Sequence, residues 1–544
     1  KKSQFTLITF FIFFSLFSSV HAQDQIWTEI QKSNQKVLLS NQTQSSFDKY
    51  PHLTFELDVV ALKKQLRSVP QRGVQNLRSS VSISFPNSRG ELKKFIVYEA
   101  PVLSNDLSIR YPNIKTYVGY GVENNGNRVR FSVTPLGLNA MLSSIVDPMV
   151  LIQPESTRSS LLYTVYERGA NRSKKDEEFI CSTKNEIINN ANKPQTLKTA
   201  DDQTLRTLRI AISGSAEYTN TWDDGDDSNG TVQEDALAQV VSTLNRSNEI
   251  FETDMALTLT LVSGVEILYT DSSTDPYGGG NLNGELQNTL TSEIGEANYD
   301  IGHLFHKDSP NGNAGCIGCI CEDGSKGSGF SSNLFPNDLP SDTFDIDYVP
   351  HEIGHQLGAN HTFSHNSEGT GKNVEPGSGT TIMGYAGITG PSDVQPHSDP
   401  YFQYVSIDQI ITNLETNTCW VGTAITNNPP VADAGNDYTI PMGTAFKLKG
   451  TATDADAGDA LYYNWEQIDD GTITNTNFGP TNTSGANFRS RPPVTTPERY
   501  MPILSRILAG ELTETNPTVT ANNTSWETVS EVGRDLNFNF TVRD

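Results

Sequence analysis

The sequence predicts a protein of several domains, with a central α/β domain between two β-rich regions. At 544 residues, the chain exceeds what one hydrophobic core supports. Strand and helix patterns alternate between residues 205 and 422, which predicts a mixed twisted sheet covered by helices. Residues 23–204 and 427–544 carry mostly strand patterns, so we expect a β-rich region before the central domain and a β-sandwich after it.

The first 22 residues are typical of a secretory signal peptide. Two lysines precede an apolar run over residues 5–17, and Val20-His21-Ala22 ends it in a small-x-small cleavage pattern. We expect a secreted protein, and an uncleaved anchor is the alternative. No later stretch reaches about 18 apolar residues, so no membrane span is expected after cleavage. Because the chain starts without Met and no stop to its last domain is evident, we expect a fragment at both ends.

The acidic composition bears on possible partners. The chain has 64 Asp and Glu against 39 Lys and Arg, a net charge of -25. Nucleic acid is not an expected partner, because phosphate binding needs a basic surface. The acidic loop at residues 223–227 does not have EF-hand spacing, so a solvated loop and a calcium site are both open there.

The region before the central domain carries strand formers but no catalytic cluster. Residues 94–98 and 129–133 are predicted strands, and Asn125-Gly126 predicts a tight hairpin. The sequence turns polar between Asn171 and Asp202, which predicts a linker and a place for proteolytic cutting.

The central domain is predicted from alternating local patterns. Apolar residues at strand spacing predict strands over residues 208–212, 258–262 and 300–305. Helical spacing predicts helices over residues 234–252, 286–297 and 405–414.

The pattern H-E-x-x-H-x-x-G-x-x-H at residues 351–361 predicts a zinc site that activates water. His351 and His355 lie on one face of a helix, because four residues turn the chain by about 400°. Gly358 lets the chain leave the helix with a positive φ, and the turn brings His361 to the metal as a third nitrogen ligand. Glu352 is placed to accept a proton from water. The fourth metal position stays open.

This pattern is specific. A bare H-E-x-x-H should arise by accident in roughly one such sequence in a hundred, and the full pattern in on the order of one in a hundred thousand. On the opposite face, apolar residues recur every fourth position and can pack on a core, and Pro350 falls where a first-turn proline is tolerated. His303 and His306 are predicted to be structural or surface residues, since three histidines already fill the protein positions of a catalytic zinc.

Met383 and Tyr385, which follow the motif, are further candidates for the zinc site. Met383 is predicted to pack its thioether beneath the histidines and hold them rigid. Tyr385, two residues later, could turn its phenol toward the metal or toward an oxyanion. An ordinary core methionine and a tyrosine without a catalytic role are the alternatives.

The five cysteines fit an oxidising compartment. We expect two disulfides among Cys316, Cys319, Cys321 and Cys419, with Cys181 left over. A second metal site at residues 316–321 is the alternative, but no matching Cys or His pair follows it.

Residues 351–361 together with 381–386 resemble the metzincin clan of zinc peptidases. Residues 299–303 and 312–321 look like the reprolysin-like (adamalysin-like) group within it, especially its secreted bacterial members. The resemblance covers about residues 205–420 and, more weakly, the region before them as a propeptide. It implies a zinc endopeptidase with Zn²⁺ on the three histidines and Glu352 as general base, acting on proteins or peptides.

The resemblance also bears on Tyr385 and Cys181. Venom-type relatives lack a tyrosine two residues after the methionine, whereas astacins and serralysins carry one as a switchable zinc ligand. The family also uses a propeptide thiol to block the zinc, so Cys181 could keep the enzyme latent until the propeptide is cut. No recognisable switch motif surrounds Cys181, and a free or intermolecularly paired cysteine is the alternative.

Residues 427–544 open with Pro429-Pro430 and resemble the polycystic-kidney-disease-type, immunoglobulin-like β-sandwich. Predicted strands cover residues 446–450 and 461–466, with Trp465 in the core. The acidic residues 454–459 could bind Ca²⁺ or form a solvated turn. Such modules are spacers or binding units, so binding to a matrix or cell surface is one expectation.

The functional prediction is a secreted zinc endopeptidase made as a zymogen. Two alternatives stay open. One is a non-enzymatic adhesin or matrix-binding protein with a structural zinc, although Glu352 has no role in such a site. The other is a metal-dependent amidase that acts on non-protein substrates.

Overall fold

A computed structural model describes residues 26–31, 51–73, 78–144, 146–169, 179–184, 200–278, 280–335 and 342–544. The predicted signal peptide lies outside the described residues. So do residues 170–178 and 185–199, which make up most of the predicted linker.

The N-terminal unit, residues 26–184, is built on a nine-stranded antiparallel sheet of order β1-β2-β9-β8-β7-β6-β5-β4-β3. Its strands are Trp27–Glu29, Leu53–Leu57, Ser82–Pro86, Leu92–Glu99, Lys115–Gly121, Arg128–Thr134, Gly137–Ser143, Val150–Ser156 and Ser159–Glu167 (β1 to β9). In the described part of this unit, two short helices accompany the sheet, Val59–Leu66 (α1) and Asn105–Arg110 (α2). Buried aromatic residues, among them Trp27, Phe85 and Phe131, fill its core, as the alternation of apolar residues along a strand requires.

The hairpin between β5 and β6 contains the turn predicted at Asn125-Gly126. Residues 122–127 form the connection, and it closes where the Gly121 amide donates to the Asn127 carbonyl at 2.8 Å. The Asn127 amide donates to the Asn124 carbonyl at 3.0 Å, so Asn125 and Gly126 are the central residues of a β-turn. The Asn124 side chain also accepts from the Gly126 amide at 3.0 Å, which stabilises the turn.

The central unit, residues 200–426, has a mixed sheet of order β10-β14-β15-β13-β11-β12, with β16 also paired to β11. The strands are Ile180–Cys181, Thr204–Gly214, Leu257–Leu261, Ile301–His306, Asn311–Asn313, Gly329–Ser332 and Val421–Ala424 (β10 to β16). Strands β12, β11, β13 and β15 run parallel, whereas β14 is antiparallel to β15. The predicted mixed sheet is therefore present, and its outermost strand, β10, comes from the N-terminal unit.

Five helices accompany this sheet: Ala216–Thr221, Val232–Met255, Leu282–Glu293, Val349–Leu357 and Tyr404–Thr416 (α3 to α7). Helix α4 begins at a capping box in which Thr231 and Glu234 satisfy each other's amides. Helix α5 begins four residues before its predicted start, because the Asn281 side chain caps it by accepting from the Gly284 amide.

Residues 427–544 form the C-terminal unit, which contains three two-stranded sheets: β17-β19, β18-β21 and β20-β22. Its elements are Val431–Asp433, Phe446–Lys449, Thr451–Thr453, Tyr462–Gln467, Glu498–Met501 and Phe538–Arg543 (β17 to β22), with Leu504–Ala509 (α8). Trp465 is buried, as predicted, against Phe488, Met501 and Phe540. A two-layer sandwich of the immunoglobulin type stays a prediction.

The central unit contains two disulfides. Cys316 pairs with Cys319 and Cys321 with Cys419, which leaves Cys181 as a free thiol. This matches the predicted two disulfides and is consistent with an extracellular protein. Within the described residues, every helix is too short or too polar to cross a membrane.

Candidate active site

Helix α6 carries the first two histidines of the predicted motif. A π-helical turn, Thr343–Tyr348, leads directly into it, and Pro350 lies in its first turn. The helix ends at Gly358, where φ is 123° and the amide donates to the Gly354 carbonyl at 3.1 Å. Such a φ favours glycine, and the resulting turn brings His361 back toward the helix.

The three imidazole rings face one another. The ring centroids lie 4.8 Å apart for His351 and His355, 5.2 Å for His351 and His361, and 4.4 Å for His355 and His361. All three side chains are buried. The predicted ligand residues are therefore brought together.

Each ring is oriented by a hydrogen bond at its Nδ1 atom. His351 Nδ1 lies 2.7 Å from the Ile382 carbonyl, and His355 Nδ1 lies 2.7 Å from the Ala359 carbonyl. His361 Nδ1 is 3.2 Å from both carboxylate oxygens of Glu368. Because these partners accept, each Nδ1 carries the proton and each Nε2 presents a lone pair.

The Nε2 atoms converge on one point. Those of His355 and His361 are 3.0 Å apart, and His351 Nε2 is buried with no hydrogen-bond partner among the described residues. The Cys181 sulfur lies 3.6 Å from His355 Nε2, and the four ligand atoms lie within 4.8 Å of one another. Lone pairs this close repel unless a cation lies between them, and nitrogen and sulfur donors fit Zn²⁺.

Electrostatics keeps the rings neutral. Burial lowers the pKa of His351 to about 4. Burial also lowers the pKa values of His355 and His361 well below their ordinary value, and the neighbouring histidines add to this effect. Neutral imidazoles are the form that binds a metal.

Glu352 lies fully buried beside the histidines. Its Oε2 accepts a hydrogen bond from Thr183 Oγ1 at 2.9 Å, and Oε1 has no partner among the described residues. Gly312 approaches so closely that a Cβ there would lie 2.3 Å from Oε1. Burial raises the pKa of Glu352 to about 8. Oε1 is therefore the carboxyl oxygen available to accept a proton.

Cys181 reaches the site as part of β10, which adds to the sheet in parallel to β14. The Ile180 amide donates to the Pro310 carbonyl at 3.2 Å, and the Ser182 amide donates to the Gly312 carbonyl at 2.8 Å. Burial raises the pKa of the Cys181 thiol well above its ordinary value, and the Glu352 carboxylate adds to this. The free thiol therefore lies over the point where the histidines converge.

Met383 and Tyr385 flank the histidines as the sequence suggested. Met383 is buried, and a Cβ on Gly354 would come within 2.7 Å of its sulfur, so the thioether lies against α6. The Tyr385 ring centroid is 4.7 Å from that of His361, and its hydroxyl donates to the Cys181 carbonyl at 3.3 Å.

The other two candidate histidines are not in this cluster. His303 is buried in the sheet, with its ring nitrogens 2.9 Å from Gln356 Oε1 and from Ser331 Oγ. His306, at the end of the same strand, is partly buried. Both agree with the structural interpretation.

Three residues of the site were missed from the sequence: Thr183, Gly312 and Glu368. Thr183 lies two residues after β10 and Gly312 lies in β14, more than a hundred residues later, so no local spacing indicates them. Glu368 follows His361 by seven residues in a loop without a periodic pattern. For Glu368, the one available signal was that metal-binding histidines often bond to a carboxylate.

Comparison with known proteins agrees with this geometry. Residues 204–414 match the family model of the reprolysin-like metallo-peptidases of family M12B. The match supports a metallopeptidase domain of the metzincin type in this part of the chain. The comparison with curated proteins found no match for the chain.

Proposed function

We propose that the protein is a secreted, zinc-dependent endopeptidase made as a zymogen. The observation that carries this proposal is the convergence of three neutral imidazole Nε2 atoms beside a buried carboxyl, Glu352. The match of residues 204–414 to a metallopeptidase family supports the same reaction class. We expect the protein to be of the secreted bacterial type that the sequence resembles.

His351, His355 and His361 would hold the Zn²⁺. When bound, the ion lowers the pKa of water and polarises a carbonyl oxygen. Glu352 accepts the proton of the attacking water at Oε1 and delivers it to the leaving amine.

Tyr385 is proposed to steady the oxyanion or to act as a switchable ligand. Its ring lies against His361, within reach of the metal position, and its hydroxyl is now bonded to Cys181. Release of Cys181 would free this hydroxyl to donate elsewhere. Met383 is proposed to fix the position of α6 from below.

The N-terminal unit is proposed to hold the enzyme latent. Cys181 lies over the ligand atoms, Thr183 binds Glu352, and β10 covers the edge of β14. A zinc ion would deprotonate the thiol despite its raised pKa, because a coordinating thiolate neutralises the ion's charge. Cutting within residues 185–199 would separate β10 from the central unit.

The direct test is a Glu352→Gln variant after removal of the N-terminal unit. It should bind one zinc per chain and lose about 10²–10⁴-fold in peptide hydrolysis, the usual contribution of a positioned base. Wild-type activity in this variant, purified free of other proteases, would contradict the assignment. A His355→Ala variant, which should lose both zinc and activity, is the matched control.

Cleavage assays with different substrates separate the proposed endopeptidase from two alternatives. An adhesin with a structural zinc would bind zinc yet show no chelator-sensitive cleavage of casein or gelatin. A metal-dependent amidase would cleave small amides and leave a peptide library intact. Binding of the C-terminal unit to a matrix or cell surface is a further part of the proposal, tested by adsorption to collagen or to cells.

Calcium is also proposed to bind at the acidic loop, residues 223–227, which precedes α4. Carboxylate oxygens of Asp223, Asp224 and Asp235 lie within 4.8 Å of one another. Asp235 is 2% exposed, and one of its oxygens has no partner among the described residues. Calcium should raise the melting temperature of the wild type but not that of Asp235→Asn. Residues Asp454, Asp456 and Asp459 also converge, and a solvated turn stays the alternative there.

A further inference from the structure

The segment 362–403 connects the zinc motif to α7 and carries both Met383 and Tyr385. A single 3₁₀ turn, Gly390–Ser392, is its only regular helix or strand, yet most of its residues are buried. Buried backbone amides and carbonyls need partners, and without helix or sheet they must find them elsewhere. Many of those partners belong to the C-terminal unit.

The first set of contacts is between backbones. The Gly377 amide donates to the Ile473 carbonyl at 2.9 Å, and the Ile473 amide donates to the Ser364 carbonyl at 2.7 Å. Close by, the Gly471 amide donates to the Asn373 carbonyl at 3.1 Å. These bonds tie both ends of the loop 364–377 to one stretch of the C-terminal unit.

The second set is a buried aromatic contact centred on Trp526. Its indole is fully buried against Val394, Ile473 and Phe478, and its Nε1 donates to the Asp393 carbonyl at 3.1 Å. A Cβ on Gly377 would come within 2.7 Å of the indole. Trp526 has a φ of 66°, which a bulky residue seldom adopts unless its surroundings hold it there.

Polar side chains extend the same interface toward α7. Thr380 Oγ1 donates to the Ser490 carbonyl at 3.2 Å, and the Tyr404 amide donates to Glu466 at 3.0 Å. The Arg543 guanidinium pairs with Asp254 at 2.7 Å, and Asp254 also accepts from the Phe402 amide at 2.6 Å. All of these groups are buried, so the polar contacts continue the interface from Trp526 toward α7.

This interface connects to the active site in two steps. The Ser378 carbonyl, next to Gly377, accepts from the Tyr385 amide at 2.6 Å, and the Met383 carbonyl accepts from the Thr362 amide at 3.1 Å. The Tyr385 ring is held 4.3 Å from that of Phe363. The backbone that positions Tyr385 is therefore the backbone that the C-terminal unit supports.

We propose that the C-terminal unit is a positioning part of the catalytic unit, not a spacer, and that Trp526 is a positioning residue for the segment that carries Met383 and Tyr385. The catalytic consequence rests on the proposed peptidase function. The association of the two units does not rest on it.

The first experiment cuts the connection between the units. A specific protease site is inserted after Thr426, where the chain is exposed, and the protein is cut after removal of the N-terminal unit. The two pieces should co-elute on gel filtration and keep the hydrolysis rate of the uncut protein. Separation into two pieces, with the larger one fully active, would overturn the proposal.

The second experiment changes the contact itself. We expect Trp526→Ala to lower kcat a few-fold while zinc content and KM stay near wild type, since a displaced Tyr385 acts on the transition state. Trp526→Phe, which keeps the ring but loses the bond to Asp393, should recover most of this loss. Tyr438→Ala, an exposed change in the same unit, is the control. A folded Trp526→Ala protein with wild-type kcat would overturn the proposal.

The two proposals fail in distinguishable ways. If the uncut protein, freed of its N-terminal unit, binds zinc but cleaves no peptide, the proposed function is wrong. In that case, co-elution of the cut pieces still shows whether the central and C-terminal units stay associated. If the pieces separate while cleavage persists, the present inference alone is wrong.

Discussion

The N-terminal and C-terminal units both contact the central unit, but with different chemistry. The N-terminal unit reaches the histidines through Cys181 and docks on α4 through charged groups. Arg130 Nε lies 3.0 Å from Glu249, and Arg72 bonds to Glu252 at 2.9 Å. The C-terminal unit uses backbone hydrogen bonds and the buried indole of Trp526, together with a buried ion pair between Arg543 and Asp254.

The N-terminal contact is the one suited to release. Buried ion pairs respond to pH, and a docked strand such as β10 can be withdrawn once the chain behind it is cut. At the C-terminal interface, backbone hydrogen bonds to Gly471 and Ile473 satisfy part of an irregular, buried segment. The first contact suits release after a cut, and the second suits retention near neutral pH.

The largest expected effect is on the charged interface. Arg130→Ala should weaken binding of the cut N-terminal unit by about 3 kcal/mol, because this buried guanidinium bonds to both Glu249 and Glu252 and each charge-assisted bond is worth roughly 1.5–3 kcal/mol. Arg128 and Arg72 still pair with these two carboxylates in the variant. That corresponds to on the order of a hundredfold in Kd. The measurement is a titration of the separated pieces. Arg89→Ala, at an exposed ion pair with Asp147, is the control and should change nothing.

The two interfaces should respond to pH in opposite directions. Burial alone would raise the pKa of Glu252, but Arg130 and Arg72 outweigh it and hold the pKa below its ordinary 4.5. Burial raises the pKa of Glu466 to about 8, with Arg543 opposing part of the shift. Glu252 therefore contributes stability above about pH 4.5 that is lost in acid, and Glu466 contributes stability below about pH 4.5 that is lost as pH rises through about 8.

Gel filtration of the cut protein from acid to mild alkali measures at which pH each piece dissociates, and so tests whether the two interfaces respond in opposite directions. The N-terminal piece should dissociate in acid and the C-terminal piece should loosen in mild alkali. Glu252→Gln and Glu466→Gln should each flatten their own profile and leave the other unchanged. Two parallel profiles would show that these carboxyls do not control the interfaces.

A smaller effect is expected at the thiol. Cys181→Ala in the uncut protein should raise basal hydrolysis about tenfold, roughly 1.4 kcal/mol of lost latency, because Thr183 and β10 still cover the site. Ile180→Ala, an exposed neighbour on the same strand, serves as control. Unchanged basal hydrolysis in Cys181→Ala would show that β10 inhibits the enzyme without help from the thiol.

The smallest effect is expected at Tyr385, where the two regions meet. Tyr385→Phe removes one hydrogen bond, worth about 1 kcal/mol, so kcat should fall a few-fold with KM unchanged. Steady-state kinetics on the processed enzyme measures this. A KM change without a kcat change would place the hydroxyl in substrate binding.

Local periodicity predicted much of the central unit. The zinc motif needed only helix geometry and one glycine turn, so His351, His355 and His361 were found together with Glu352. Helix α4 and the strand at residues 300–305 follow from apolar spacing. The start of α5 was missed because Asn281, the cap, is followed by helix-disfavouring Asn283 and Gly284, which obscure the pattern.

Contacts between distant parts of the chain could not be predicted in this way. The pairing of β10 with β14 depends on the register of a two-residue strand, which carries no periodic signal. Thr183 and Gly312 enter the site only through that pairing. The role of Trp526 likewise depends on where an irregular loop meets another unit, whereas its own neighbourhood indicates only a core residue.

The proposal that a zinc peptidase is held latent by its own N-terminal unit can be tested on a single sample. The most direct measurement follows one sample through a specific cut within residues 185–199, removal of the N-terminal piece, and assay of zinc and peptide cleavage at each stage. We expect one zinc per chain throughout and chelator-sensitive cleavage that appears only after the piece is removed. Full cleavage with the piece still bound, or none after its removal from zinc-loaded protein, would contradict it.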